Sequence, residues 1–207
     1  MSAHSGKLAN PAVVGLAGFG LTTFLLQIHN LGLMEIGPVL WTGLLYGGLA
    51  QMIAGFQEQK TGNSFGYSAF VSYGAFWIAL CLIFIGNHFG IYESSATDIG
   101  WFLLGWGIYT GLMVLSAVRV HMAMATTFIS LFLGFAGLAI GHFGFPVMNT
   151  VAAVILLFCA ANAWYMMAGE ILKDVYGREI LPMGKPLVGG NHKSAVIDAD
   201  LKVEPAE

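Results

Sequence analysis

Six apolar stretches, each close to the length of a membrane crossing, set the first limit on this chain. A helix that spans a bilayer needs about 20 mostly apolar residues. Residues 12–28, 38–56, 67–85, 99–118, 125–143 and 151–169 meet that need. Only 9% of the 207 residues are charged while 57% are hydrophobic, whereas a soluble domain carries about a quarter of its residues charged. The predicted fold class is therefore all-α, a polytopic membrane protein of six transmembrane helices. The fifth stretch is the one whose start could slide toward His121.

The charges between the stretches give a direction. Lys7 precedes the first, Lys60 lies between the second and third, and Arg119 between the fourth and fifth. Lys173, Arg178, Lys185, Lys193 and Lys202 follow the sixth. All eight basic residues thus fall on one side, while the opposite loops hold Glu35, Glu93 and Asp98 as their fixed charges. Basic residues stay in the cytoplasm, so both termini are expected there, in a multi-pass protein of the inner membrane. The polar start, residues 1–10, gives no sign of a cleavable signal peptide. Basic residues never cluster, so no nucleic acid is expected as a partner.

Two domains are expected along the chain, a transport domain over 1–182 and a flexible polar tail over 183–207. An amphipathic helical continuation over 170–184 would join them. Glycine pairs four apart, Gly43 and Gly47, Gly107 and Gly111, and Gly137 and Gly141, predict close helix crossings of the kind that hold helices together in lipid. The endings Ile28-His29-Asn30, Gly86-Asn87-His88 and Gly141-His142 hint at three related helical hairpins. Trp41 and Trp101 sit where interfacial anchors would.

Several residues could carry chemistry. Asn10 before Pro11 reads as a helix cap, and the helix start it marks offers free N–H groups to an anion. The Asn-Pro-Ala triplet also occurs in aquaporins, but there it appears twice, and here Pro146 to Asn149 reverses the order. Thr22, Thr23, Gln27, Gln51, Ser72, Tyr73, Ser130 and Asn162 are polar groups inside the stretches. Amides in a bilayer should face the bundle interior, either bonding helix to helix or lining a route for a polar solute. No Asp, Glu, Lys or Arg sits near the middle of a stretch, and Glu58 and Glu170 lie at the ends. A proton relay of carboxylates is therefore hard to build. His29, His88 and His142 fall at the outer rim, where solvation explains them better than ligation of haem. Cys81 and Cys159 lie in apolar runs without metal-ligand spacing, so neither a metal nor another cofactor is expected.

The stretch Asn10-Pro11-Ala12-Val13-Val14-Gly15-Leu16 resembles the signature NPAPLGL of the acetate uptake transporters, the acetate and succinate permeases of the YaaH type. The resemblance continues through Gly18 to Thr23, Leu25 to Asn30, Tyr46 to Gln51, Gly62 to Gly66 and Ser72 to Trp77. It ends with Met167 to Glu170 and Tyr176 to Arg178. Val13 departs from the second proline of the signature, and His142 stands where bacterial relatives often have asparagine. The resemblance implies a six-helix protomer with its own pathway, assembled as a homo-oligomer, a hexamer. It also implies acetate or succinate as substrate and an apolar constriction at Phe19, Tyr73 and Leu131.

The expected function is thus a channel or transporter for acetate and similar small carboxylates, not an enzyme. Asn10, Thr23, Gln51, His142 and Asn162 are the expected pathway residues. The proton, if one moves, would travel on the substrate. Two other readings are a pore for a neutral solute such as water, glycerol or ammonia, and a haem-bearing membrane protein without transport.

Overall fold

The computed structural model describes residues 9–189. Six helices long and apolar enough to cross a membrane make up almost all of it. They are α1 (Ala12–Asn30), α2 (Gly37–Lys60), α3 (Ser64–Phe89), α4 (Ala96–Ala117), α5 (Met122–His142) and α6 (Val147–Tyr176). No strand occurs among the described residues. α1, α3 and α5 start at one end of the bundle, called here the near end, where Asn10 before α1 meets Glu170 of α6. α2, α4 and α6 run back to it.

The helices overrun the apolar stretches because their ends are fixed by capping groups rather than by hydropathy. Asn63 opens α3 by accepting the Gly66 N–H. Ser95 and Asp98 form a reciprocal capping box on α4, the arrangement that satisfies two otherwise unpaired donors at once. His121 caps α5 through Nδ1, which accepts the Met124 N–H at 3.1 Å. Burial holds the His121 ring below the ordinary imidazole range, against the opposing pull of Glu170 and Glu179. At the other termini, Gly90 after α3 and Gly177 after α6 take left-handed φ values of 67° and 68°. Such a conformation is strained for any residue with a Cβ, and it stops a helix.

Packing follows small residues. A methyl group added at Gly47 would strike the Thr22 hydroxyl, and one at Gly18 would meet the Tyr46 carbonyl oxygen at 2.6 Å. α1 and α2 therefore cross backbone against backbone. One at Gly137 would meet the Ala152 methyl at 2.9 Å, which places α5 against α6. At the first crossing α2 is not α-helical. Gly43–Ala50 forms two turns of π-helix between α-helical segments Gly37–Thr42 and Gln51–Lys60. Such wide turns are rare and gather at functional sites.

Three expectations are corrected here. The hairpin repeat is uneven at its middle unit, because the backbones of α3 and α4, although consecutive, stay apart and meet through side chains such as Phe76 with Phe102 and Trp106. α4 instead packs along α5, and α3 along α2. The amphipathic continuation over 170–184 stops at Tyr176, where Gly177 ends the helix. The segment after it is not free where it begins. The Met183 carbonyl accepts the Ala123 N–H at 3.0 Å, and the Val118 carbonyl accepts from the N–H groups of Leu187 and Val188. The orphan backbone groups at the α4–α5 turn thereby find partners, so residues 183–189 are docked. The rest of the expected tail, 190–207, lies outside the described residues.

Candidate functional site: a divided cavity in the helix bundle

Phe19 on α1, Tyr73 on α3 and Leu131 on α5 project inward from the three helices that run the same way. Each is at least nine-tenths buried. Phe19 and Tyr73 stack at a tilt, ring centroids 6.1 Å apart. Tyr73 is held from behind by Phe128, Trp106 and Tyr109. Its hydroxyl lies 2.9 Å from Thr110 Oγ1 on α4. Thr110 gives its own proton to the Trp106 carbonyl, so Tyr73 must be the donor. The phenol is thereby tied outward and leaves its ring edge to the bundle axis.

Two cavities flank this trio, and Phe19, Tyr73 and Leu131 belong to the walls of both. The near cavity, about 70 Å³, reaches Ala12 and Asn63 at the near end and is otherwise walled by groups such as Leu16, Phe70 and Met166. The far cavity, about 20 Å³, has Thr23, Gln27 and Trp77 in its wall beside Leu26, Phe135 and Leu138. A narrow, dry partition of three bulky side chains thus separates two small chambers. Neither wall contains a Lys, Arg, His, Asp or Glu.

Gln51 stands in the near cavity wall, fully buried, with neither end of its amide hydrogen-bonded. It is the first residue after the π-helical turns of α2. A buried polar group without a partner costs about 1–3 kcal/mol, so an amide left this way in lipid is poised for something that enters. In the far wall, Thr23 Oγ1 and Trp77 Nε1 are likewise buried and without partners.

The other expected pathway residues are placed differently. Asn10 lies at the near mouth but outside both walls. Its oxygen accepts the Ala12 N–H, and its amide donates to Glu170 at 2.9 Å. Asn162 sits between two helices. It donates to Thr126 Oγ1 at 2.6 Å, tying α6 to α5, and lines neither cavity. An amide in apolar surroundings takes the first acceptor available, and here that is a hydroxyl on the next helix. His142 ends α5 at the far end, beside the Ala96 backbone, and lines neither cavity.

Residues that the sequence reading did not single out also shape the site. Trp77 was one aromatic among many in an apolar run, with nothing to mark it. Glu58 reads in the sequence as an end residue, yet it is 2% exposed at the near mouth. It accepts from Asn63 Nδ2 at 2.7 Å, while its Oε1 has no partner. The Asn63 cap five residues on was the signal that could have drawn it inward.

The sequence pattern described as the GPR1/FUN34/yaaH family matches residues 1–177. The chain is 42% identical over 182 residues to the succinate-acetate/proton symporter SatP of Escherichia coli K12, covering 86% of this chain and 97% of that one. It is 35% identical to acetate permease A of Emericella nidulans, covering 88% and 68%. Among solved structures, the bacterial acetate channel SatP superposes with a TM-score of 0.83 at 42% identity, over 86% of this chain and all of that one.

Proposed function

The chain belongs to the GPR1/FUN34/yaaH family, and we propose that it moves acetate and similar small carboxylates, succinate among them, across a membrane through a pathway within each protomer. One observation carries the reading. Phe19, Tyr73 and Leu131 are shared by the two cavities, so a solute travelling along the bundle axis meets a single apolar neck with a polar contact on each side.

Gln51 is the near-side contact, since its amide can both donate to and accept from a carboxyl group. Asn10 acts indirectly, by fixing the start of α1 and the Glu170 carboxylate at the mouth. A dry neck penalises hydrated ions. With no cation in either wall, a bare carboxylate would lose its water without compensation. The solute therefore crosses the neck as the neutral acid, carrying its own proton. This is channel-like conduction that couples acetate to proton flux without a relay in the protein.

The described basic residues, Lys60, Arg119, Lys173, Arg178 and Lys185, flank the near end, which favours that end as cytoplasmic and the protein as a multi-pass component of the inner membrane. The protomers form a homo-oligomer, a hexamer. Its support is the family likeness and a groove of about 550 Å³ between α3 and α4, lined by Val71, Trp101 and Trp106.

Uptake of labelled acetate into proteoliposomes, with and without an inward proton gradient, tests the reading beside succinate and glycerol. Saturable acetate entry that rises with the gradient supports it. Glycerol entry without acetate entry would leave a neutral-solute pore in its place.

A further inference from the structure

We propose that Glu58 is an acid-sensitive latch at the near mouth: ionised, it fastens the starts of α1 and α3 to the end of α2, and protonated, it lets them part. The inference rests on the carboxylate pathway proposed above, whose entrance the latch would set.

Glu58 is buried where α2 ends and backs onto the wall of the near cavity. Asn63 Nδ2 donates to its Oε2 at 2.7 Å, and the Asn63 N–H donates to its backbone carbonyl at 3.1 Å. A Cβ added at Gly66 would come within 3.1 Å of the Glu58 carboxyl carbon. From α1, the Ala12 N–H faces the carboxylate. Ala12, Asn63 and Gly66 all belong to the near cavity wall. One side chain thus joins the segments that frame the entrance. A helix start favours negative charge, and a bond to an ionised acceptor is stronger than a neutral one. The clasp is therefore firm only while Glu58 is charged.

Buried polar groups are ordinarily all hydrogen-bonded, and a carboxylate that served only as a structural tie would use both oxygens. Glu58 Oε1 is buried without a partner, which leaves a place for one proton. Protonation removes the charge that draws Asn63 Nδ2, a donor only, and the start of α1. The charged group that acts on Glu58 from a neighbouring helix is Glu170 on α6, itself held by Asn10. Lys60, two residues on along α2, is exposed. α1 and α3 bring Ala12, Asn63 and Gly66 against it, none of which titrates. The proton comes from water on the near side and returns there, so the solute still crosses the neck with its own.

The test uses full-length protein at equal pH on both sides of the membrane. Equilibrium exchange of labelled acetate is followed in proteoliposomes while total acetate is adjusted to keep undissociated acetic acid constant. Substrate protonation then drops out of the pH profile. Spin labels at Ala9→Cys and Gln59→Cys, both exposed positions, report the distance from α1 to the end of α2; the native Cys81 and Cys159 are buried. Infrared difference spectra identify the protonated Glu58 carboxyl as the band lost in Glu58→Gln. In the wild type, acid should raise exchange about tenfold, the effect of losing one such bond, and lengthen the label distance as the Glu58 band appears. Glu58→Gln, fixed in the uncharged state, should be fast, with a long distance at every pH. Asn63→Ser keeps a capping oxygen but cannot reach Glu58, and it should behave the same way. A wild-type pH profile and distance in both variants, or no infrared band assignable to Glu58, would overturn the latch while the transport reading stood. A distance and band that follow pH in a protein exchanging no acetate would keep the latch and overturn the transport reading.

Discussion

Tyr73 donates its phenolic proton to Thr110 across 2.9 Å, from α3 to α4, and this bond aims the ring that closes the neck. The backbones of α3 and α4 stay apart, so this bond, together with the Ser68–Tyr109 pair and the aromatic contacts of Tyr73 and Phe76, registers one helix against the other. Thr110→Val keeps the shape but removes the acceptor, leaving the Tyr73 hydroxyl buried and unpaired. We expect a loss of about 1–3 kcal/mol of stability, read by thermal unfolding in detergent. A freed Tyr73 ring should also make the neck leakier, so discrimination between acetate and glycerol should fall. Unchanged unfolding and unchanged selectivity would show that Tyr73 is held by its aromatic neighbours alone.

Gln51 and Asn162 make a contrasting pair. Gln51→Leu removes an amide that has no partner, so stability should hold or rise slightly, while acetate uptake falls about tenfold from the loss of one substrate contact. Asn162→Leu removes a bond to Thr126, so about 1 kcal/mol of stability should go with uptake retained. Thermal unfolding and proteoliposome flux on both variants separate the two. The reverse pattern would return Asn162 to the pathway.

Leu131→Ala takes the aliphatic side out of the neck and joins the two cavities. Truncating a buried leucine costs about 2–5 kcal/mol, which unfolding will read. The functional expectation is a shift in preference, with uptake of carboxylic acids longer than acetate increasing relative to acetate itself. A preference that stays fixed would place the size filter elsewhere.

His121 makes stability depend on pH. Its neutral ring accepts the Met124 N–H and is partly desolvated, so its folded pKa lies below the ordinary imidazole value of about 6.5. The unfolded chain therefore binds the proton more readily. The contribution is fully present above about pH 6.5 and is lost as pH falls below it toward the folded value. Thermal stability should drop between pH 7.5 and 5.5, and His121→Asn, a cap that does not titrate, should flatten that part of the profile. An equal drop in the variant would show that the effect does not come from His121.

Much of this architecture could be read without coordinates. The span count, the common start side of α1, α3 and α5, and the close crossings at Gly47 and Gly137 all follow from residue types that lipid tolerates in few arrangements. The helix ends did not follow, because caps such as Ser95 with Asp98 extend helices beyond their apolar cores. Nor did the docking of residues 183–189 follow, since it depends on backbone groups of the α4–α5 turn that any sequence would supply.

By itself the sequence determined that the chain crosses a bilayer six times, with its basic residues on one side and its kinship in the GPR1/FUN34/yaaH family. Bilayer thickness and the cost of burying charge leave a chain this apolar little else to be. Only the tertiary structure decided which polar groups inside the spans face a cavity. The helices are apolar on every side, because lipid is as apolar as the core, so no stripe along them marks the inner face. Gln51 and Asn162 look alike in the sequence. The π-helical turns of α2 leave one with an unbonded amide in the cavity wall, and a threonine on α5 claims the other.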